Sequence, residues 1–225
     1  IALAIIAFVG TSTQRILLGF MLATAFLSMW VSNTASVMMM VPMAMAISSQ
    51  VAAALKDRPE AVDIPVFEKA LLFGVGYAGT IGGLGTLIGT PPNIILAAQA
   101  RELFGFEISF ASWMLIGVPM VAVLLLIAWV YLGRYAFRMS ITGLPGGREM
   151  ISKEREALGP IGPEEKAVFC VFTLAAFFWI TRSFIWVNVF PEITDGMVAI
   201  AASVALFLIP AKQADSPRVL NWVDS

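Results

Sequence analysis

From Ile16 to Leu55 the chain runs without a single charged residue. A stretch of about 40 residues would measure roughly 60 Å as one helix, against a bilayer hydrocarbon core near 30 Å. It must therefore fold back or break. The polar triplet Ser32-Asn33-Thr34 stands near its middle, and such side chains favour helix ends because they compete for backbone groups. We expect a re-entrant hairpin with arms Ile16–Val31 and Ala35–Leu55, turning at the triplet, with Asn33 or Thr34 capping the second arm. Ser28 and Ser32, four residues apart, are expected on one helical face beside the turn.

A second long apolar stretch, Ala70–Leu103, is interrupted by Gly89-Thr90-Pro91-Pro92-Asn93. Prolines lack an N–H and push the residue before them out of the helical region, so an unbroken helix is excluded. The carbonyls freed near Gly89 must be met by protein, water or an ion if they lie at membrane depth. A new helix is expected to start at Asn93 or just after it. Two successive apolar stretches, each broken near its middle, form the pattern by which transporter binding sites are recognised in sequence.

The rest of the composition agrees with a membrane protein. The chain is 59% hydrophobic and 13% charged, with a mean hydropathy of +0.87, outside the range of soluble domains. Its net charge of −1 supplies no basic stripe for nucleic acid. Histidine is absent and Cys170 stands alone, which removes the commonest metal ligand and general base and any intrachain disulfide. No nucleophile–base pair is visible in the apolar segments, so covalent catalysis is not expected.

Further spans are expected at Phe110–Ala136, Ala167–Val187 and Gly196–Ile209. Basic residues cluster at Lys56, Arg58 and Lys69, at Arg134 through Lys166, and at Lys212 and Arg218, which places those three connections on the cytoplasmic side. Arg182 is expected to snorkel to the outer interface, Trp113, Trp129, Tyr131 and Trp186 to anchor at the membrane interfaces, and the methionines from Met38 to Met45 to pack flexibly.

Ser28, Ser32, Asn33 and Thr34 present neutral oxygens that suit a hard, weakly charged cation such as Na⁺. A helix start beside them suits a carboxylate or sulfate. The alternative is ordinary hydrogen bonding between packed helices, just as most glycines from Gly79 to Gly89 read as a small-residue packing face. Ile16–Leu55 and Ala70–Arg101 hold no Asp, Glu or His. With no intramembrane carboxylate relay, Na⁺ coupling is favoured over H⁺ coupling.

Two motifs, Ser28-Met29-Trp30-Val31-Ser32-Asn33-Thr34-Ala35 with Pro42 downstream and Gly82-Gly83-Leu84-Gly85-Thr86-Leu87-Ile88-Gly89-Thr90-Pro91-Pro92-Asn93, together resemble the divalent anion/sodium symporters. Trp179-Ile180-Thr181-Arg182 and Asp195–Pro210 are similar to the same family, so the resemblance covers essentially the whole chain. It implies an all-α, multi-pass protein of the plasma or inner membrane, with a re-entrant hairpin and a discontinuous transmembrane helix of an inverted-repeat fold. It also implies sodium-coupled symport of dicarboxylates or tricarboxylates, succinate favoured, by homodimers with an elevator mechanism, in contact with membrane lipid. Exchange, sulfate transport, and a channel or non-transporting scaffold are the alternatives.

By the same resemblance Ser28, Ser32 and Asn33 with the Gly89 carbonyl bind co-transported sodium, and Asn33, Thr34 and Thr90 contact the anion. The implied segments are a truncated scaffold helix and connection (1–14), the hairpin (15–55), a cytoplasmic connection (56–69), the broken helix (70–105), a transmembrane helix (106–137), a second cytoplasmic connection (138–165), two helices opening the second repeat (166–210) and a cytoplasmic end (211–225). The family carries a second Ser-Asn-Thr hairpin, and this chain stops before it. We expect half of a binding site here, and no transport by this piece alone.

Overall fold

The computed structural model describes Ile5 and residues 12–55, 63–137, 159, 161–186 and 193–210. The expected connection 138–165 lies largely outside these residues, as do 56–62, most of 1–14 and all of 211–225, while 64–69 of the other expected connection are helical. Every regular element among the described residues is helical.

In chain order these are α1 (Thr13–Ser28), α2 (Asn33–Leu55), α3 (Ile64–Gly82), α4 (Pro91–Phe104), α5 (Phe110–Val130), α6 (Pro163–Thr181) and α7 (Asp195–Leu208). A 3₁₀ turn at Gly83–Gly85 follows α3, and π-helical turns at Tyr131–Ala136 and Arg182–Trp186 follow α5 and α6. Three segments, Asn33–Ala53, Ile64–Gly85 and Phe110–Ala136, are long and apolar enough to cross a membrane. The helix α1 has 16 residues and α7 has 14, which at about 1.5 Å per residue fall short of a hydrocarbon core.

The chain forms two compact units, residues 1–108 with 113–158, and residues 109–112 with 159–225. In the first, α3 packs against both α1 and α2. Its core joins Ile16, Leu17, Phe20 and Met21 of α1 to Met40, Ala44, Ile47 and Val51 of α2 and to Phe67, Leu71 and Val75 of α3. Leu125 and Leu132 complete it, and the Trp129 indole donates to the Gln14 carbonyl at 2.9 Å. The helices α1 and α3 approach tightly where Gly82 faces the Ala25 backbone, with no room for a Cβ. Of the methionine cluster only Met40 is fully buried, while Met38, Met39 and Met45 are exposed.

The second unit is held at one end of its helices. Arg182, expected to snorkel, is instead 9% exposed, with Nε 2.8 Å from Asp195 Oδ1 and Nη1 donating to the Ile193 carbonyl at 3.0 Å. The guanidinium thus has a carboxylate and a carbonyl as partners where it is buried, contacts that counter the cost of desolvating it. Trp179 donates to the Asp195 carbonyl at 3.0 Å and stacks on Phe110 with ring centres 5.3 Å apart. Trp186 donates to Thr181 Oγ1 at 2.9 Å.

Candidate sodium and anion site

Both interruptions are real breaks, and they adjoin. The first begins where α1 ends at Ser28, with Met29 N bonded to Ala25 O and Trp30 and Val31 N both bonded to Leu27 O. The chain then enters α2 at Asn33. Ser32, not Asn33 or Thr34, caps that helix: its hydroxyl accepts from Ala35 N at 3.3 Å and its carbonyl from Ser36 N at 3.0 Å. Ser28 and Ser32 therefore do not share a helical face, because the helix carrying Ser28 stops there. Asn33 and Thr34, in the first turn of α2, have N–H groups with no intrahelical acceptor by position.

The second break runs from Gly83 to Thr90. The helix α4 starts at Pro91, two residues earlier than the double proline suggested, with Thr90 extended as its N-cap. Proline is tolerated in a first helical turn, where its missing N–H has no partner to lose and its fixed φ already suits the helix. One consequence weakens the expectation of an anion at this end. The first two positions of α4 hold no N–H at all, and the next, Asn93 N, is bonded to Thr90 O at 3.1 Å.

The freed carbonyls are met by side chains. Asn93, 4% exposed, donates through Nδ2 to the carbonyls of Gly83 and Thr86, each at 2.8 Å. The Trp113 indole donates to Leu84 O at 2.9 Å. Thr86, fully buried, donates its hydroxyl to Met29 O and accepts from Gly89 N at 3.1 Å.

Between the breaks lies the Asn33 side chain. Ser28 Oγ is 2.6 Å from Gly79 O and 2.7 Å from the Asn33 amide. A hydroxyl has one hydrogen, and the carbonyl requires it, so the amide atom facing Ser28 is a donor. With Nδ2 so placed, it lies 2.7 Å from Ser28 Oγ, 3.3 Å from Gly79 O and 3.2 Å from Gly89 O. One amide nitrogen thus occupies a position surrounded by three oxygens from three segments. Gly83 permits this, since a Cβ there would collide with the Asn33 amide.

The structure thus brings Ser28, Asn33 and Gly89 together. Ser32 is exposed with its hydroxyl committed to Ala35 N, and Thr34 is exposed. Thr90 is half-buried and makes no capping bond to α4. Gly79, Thr86 and the side-chain role of Asn93 were missed. The available signal was that a break rich in freed carbonyls needs donors, and Thr86, Asn93 and Trp113 are the nearest ones in sequence or on the following span.

The transmembrane-region model of the sodium:sulfate symporters matches residues 1–225. The sodium-dependent dicarboxylate transporter SdcS of Staphylococcus saprophyticus is 52% identical over 226 residues, covering 99% of this chain and 43% of that protein. The SdcS of Staphylococcus aureus strain USA300 is 50% identical with the same coverage. The chain spans less than half the length of these curated relatives. With a match along its whole length and helices fit to cross a bilayer, this multi-pass membrane chain belongs to the sodium:sulfate symporter family.

Proposed function

We propose that this chain forms part of a sodium-coupled secondary transporter of dicarboxylates, and that Ser28, Asn33 and the Gly89 carbonyl hold the co-transported Na⁺. The observation carrying this reading is the Asn33 amide among Ser28 Oγ, Gly79 O and Gly89 O. In this arrangement an N–H donor serves these oxygens. Turning the amide about its last torsion presents Oδ1 instead, and a Na⁺ held between Oδ1, Ser28 and Gly89 would meet neutral oxygen ligands. The names of the relatives support sodium and dicarboxylate as the transported pair.

The anion is assigned to the amino end of α2, where Asn33 and Thr34 offer N–H groups and the helix dipole is positive, with the Thr90 hydroxyl as a further contact. A dianion at membrane depth needs positive charge nearby, so Na⁺ binds first. Succinate is the favoured substrate, and inverted repeats, a homodimer and elevator movement complete the proposal.

The test is uptake of labelled succinate by the intact transporter in liposomes, with Na⁺ or choline outside. Uptake should be saturable, require Na⁺ and concentrate the anion. Ser28→Ala and Asn33→Ala should each raise the Na⁺ concentration for half-maximal uptake by roughly tenfold, the equivalent of about 1.4 kcal/mol per lost ligand. Equal uptake in choline, driven by internal dicarboxylate, would replace symport by exchange. Competition by sulfate but not by malate would move the substrate class.

A further inference from the structure

The geometry points to Thr86 as a positioning residue of the sodium site, an inference that rests on the sodium reading of Ser28, Asn33 and Gly89. Thr86 belongs to neither helix. It lies in extended backbone, φ −131° and ψ 163°, just after the 3₁₀ turn, and it is fully buried. Its hydroxyl hydrogen goes to the carbonyl of Met29, the residue next to Ser28. Its hydroxyl oxygen receives the N–H of Gly89 at 3.1 Å. One oxygen atom therefore ties Met29, the neighbour of Ser28 in the first break, to Gly89 in the second.

The backbone of Thr86 is itself fixed. Its carbonyl accepts from Asn93 Nδ2 at 2.8 Å, and the same amide group holds Gly83 O at 2.8 Å. Gly83 in turn is the residue whose missing side chain makes space for Asn33. A closed path thus runs from Met29 through Thr86 to Gly89 and, through Asn93, back to Gly83 and the Asn33 side chain.

Sodium selectivity depends on ligand distances, and here one ligand is a side chain at the end of α1 while another is a carbonyl in an irregular segment. Neither is held relative to the other by a helix. The Thr86 hydroxyl sets their separation without itself coordinating the ion. A valine at this position keeps the volume and branching but removes both hydroxyl bonds, leaving Met29 O without this donor and Gly89 N with only its longer bond to the Thr86 carbonyl at 3.4 Å.

In the intact transporter reconstituted in liposomes, Thr86→Val should raise the Na⁺ concentration for half-maximal succinate uptake about tenfold and weaken discrimination against Li⁺, much of the deficit being recovered at high Na⁺. Thr86→Ser, which keeps the hydroxyl, should stay within about twofold of the parent. Lower protein yield or lower maximal uptake with an unchanged Na⁺ curve and unchanged Li⁺ discrimination would overturn the inference and leave Thr86 a packing residue. If Thr86→Val is not recovered from membranes, Thr86→Cys, a weaker donor of similar size, carries the test: a shift of about threefold supports the inference and no shift overturns it. Ser28→Ala and Asn33→Ala separate the two levels. If they move the Na⁺ curve and the Thr86 variants do not, only the positioning role fails; if none moves it, the sodium reading fails first.

Discussion

Two polar clusters stand out in an otherwise apolar chain, and they solve opposite problems. At the junction of α6 and α7 a guanidinium and a carboxylate sit 2.8 Å apart and complete each other. At the two breaks of the first unit no formal charge is present, and three oxygens converge on one amide group. The first cluster is electrically finished. The second has three partially negative oxygens facing one neutral amide group. On the reading proposed above, charge that belongs permanently to the fold is neutralised within it, whereas charge that arrives and departs is met by dipoles alone.

Removing a partner from the finished cluster should therefore cost most. Arg182→Met leaves Asp195 without its counter-charge and Ile193 O without its donor. Loss of one partner of a fully buried pair costs roughly 3–5 kcal/mol. The Asp195 side chain is 29% exposed, so solvent screening lowers the expected loss to about 2–3 kcal/mol. Denaturation of the intact protein in detergent measures it, and Arg182→Met combined with Asp195→Leu should recover most of the loss. A single-variant effect no larger than a surface substitution would end the contrast.

An intermediate effect is expected at Asn93. Asn93→Leu strips the donors from two buried carbonyls and should destabilise by about 2 kcal/mol, toward the low end for two unsatisfied groups because membrane hydrogen bonds are individually weak. The same denaturation experiment checks it. An Asn93→Leu protein as stable as the parent would show that the freed carbonyls do not depend on this amide.

The smallest effect should come from Trp113→Phe, which keeps a ring and removes only the bond to Leu84 O. About 0.6 kcal/mol is expected, read by the same denaturation. A loss larger than that at Asn93 would place the main support of the broken segment on α5 instead.

The positions of the breaks were legible because their causes are local. A 40-residue uncharged run cannot cross a bilayer once, and a double proline cannot lie mid-helix. The exact start of α4 was misplaced, since the prolines were weighed as obstacles to the preceding helix rather than as openers of the next. The capping role of Ser32 was likewise hidden among three adjacent residues that all cap well. What no local rule could supply was the approach of α3 to α1. That approach depends on Gly82 and Gly83 facing Ala25 and Asn33, a tertiary match between residues about 50 positions apart in sequence. Arg182 was misread for a similar reason: its partner Asp195 stands at the start of the following helix, and sequence distance concealed the pairing.

The double proline has one more consequence. Two pyrrolidine rings at the mouth of α4 leave that opening with acceptors but almost no amide hydrogens, so an oxyanion finds little to grasp there while a cation meets no repelling hydrogens. The mouth of α2, built from Asn33 and Thr34, has the reverse character. On the reading proposed above, the two helix starts would then suit ions of opposite sign through the presence or absence of hydrogen on backbone nitrogen.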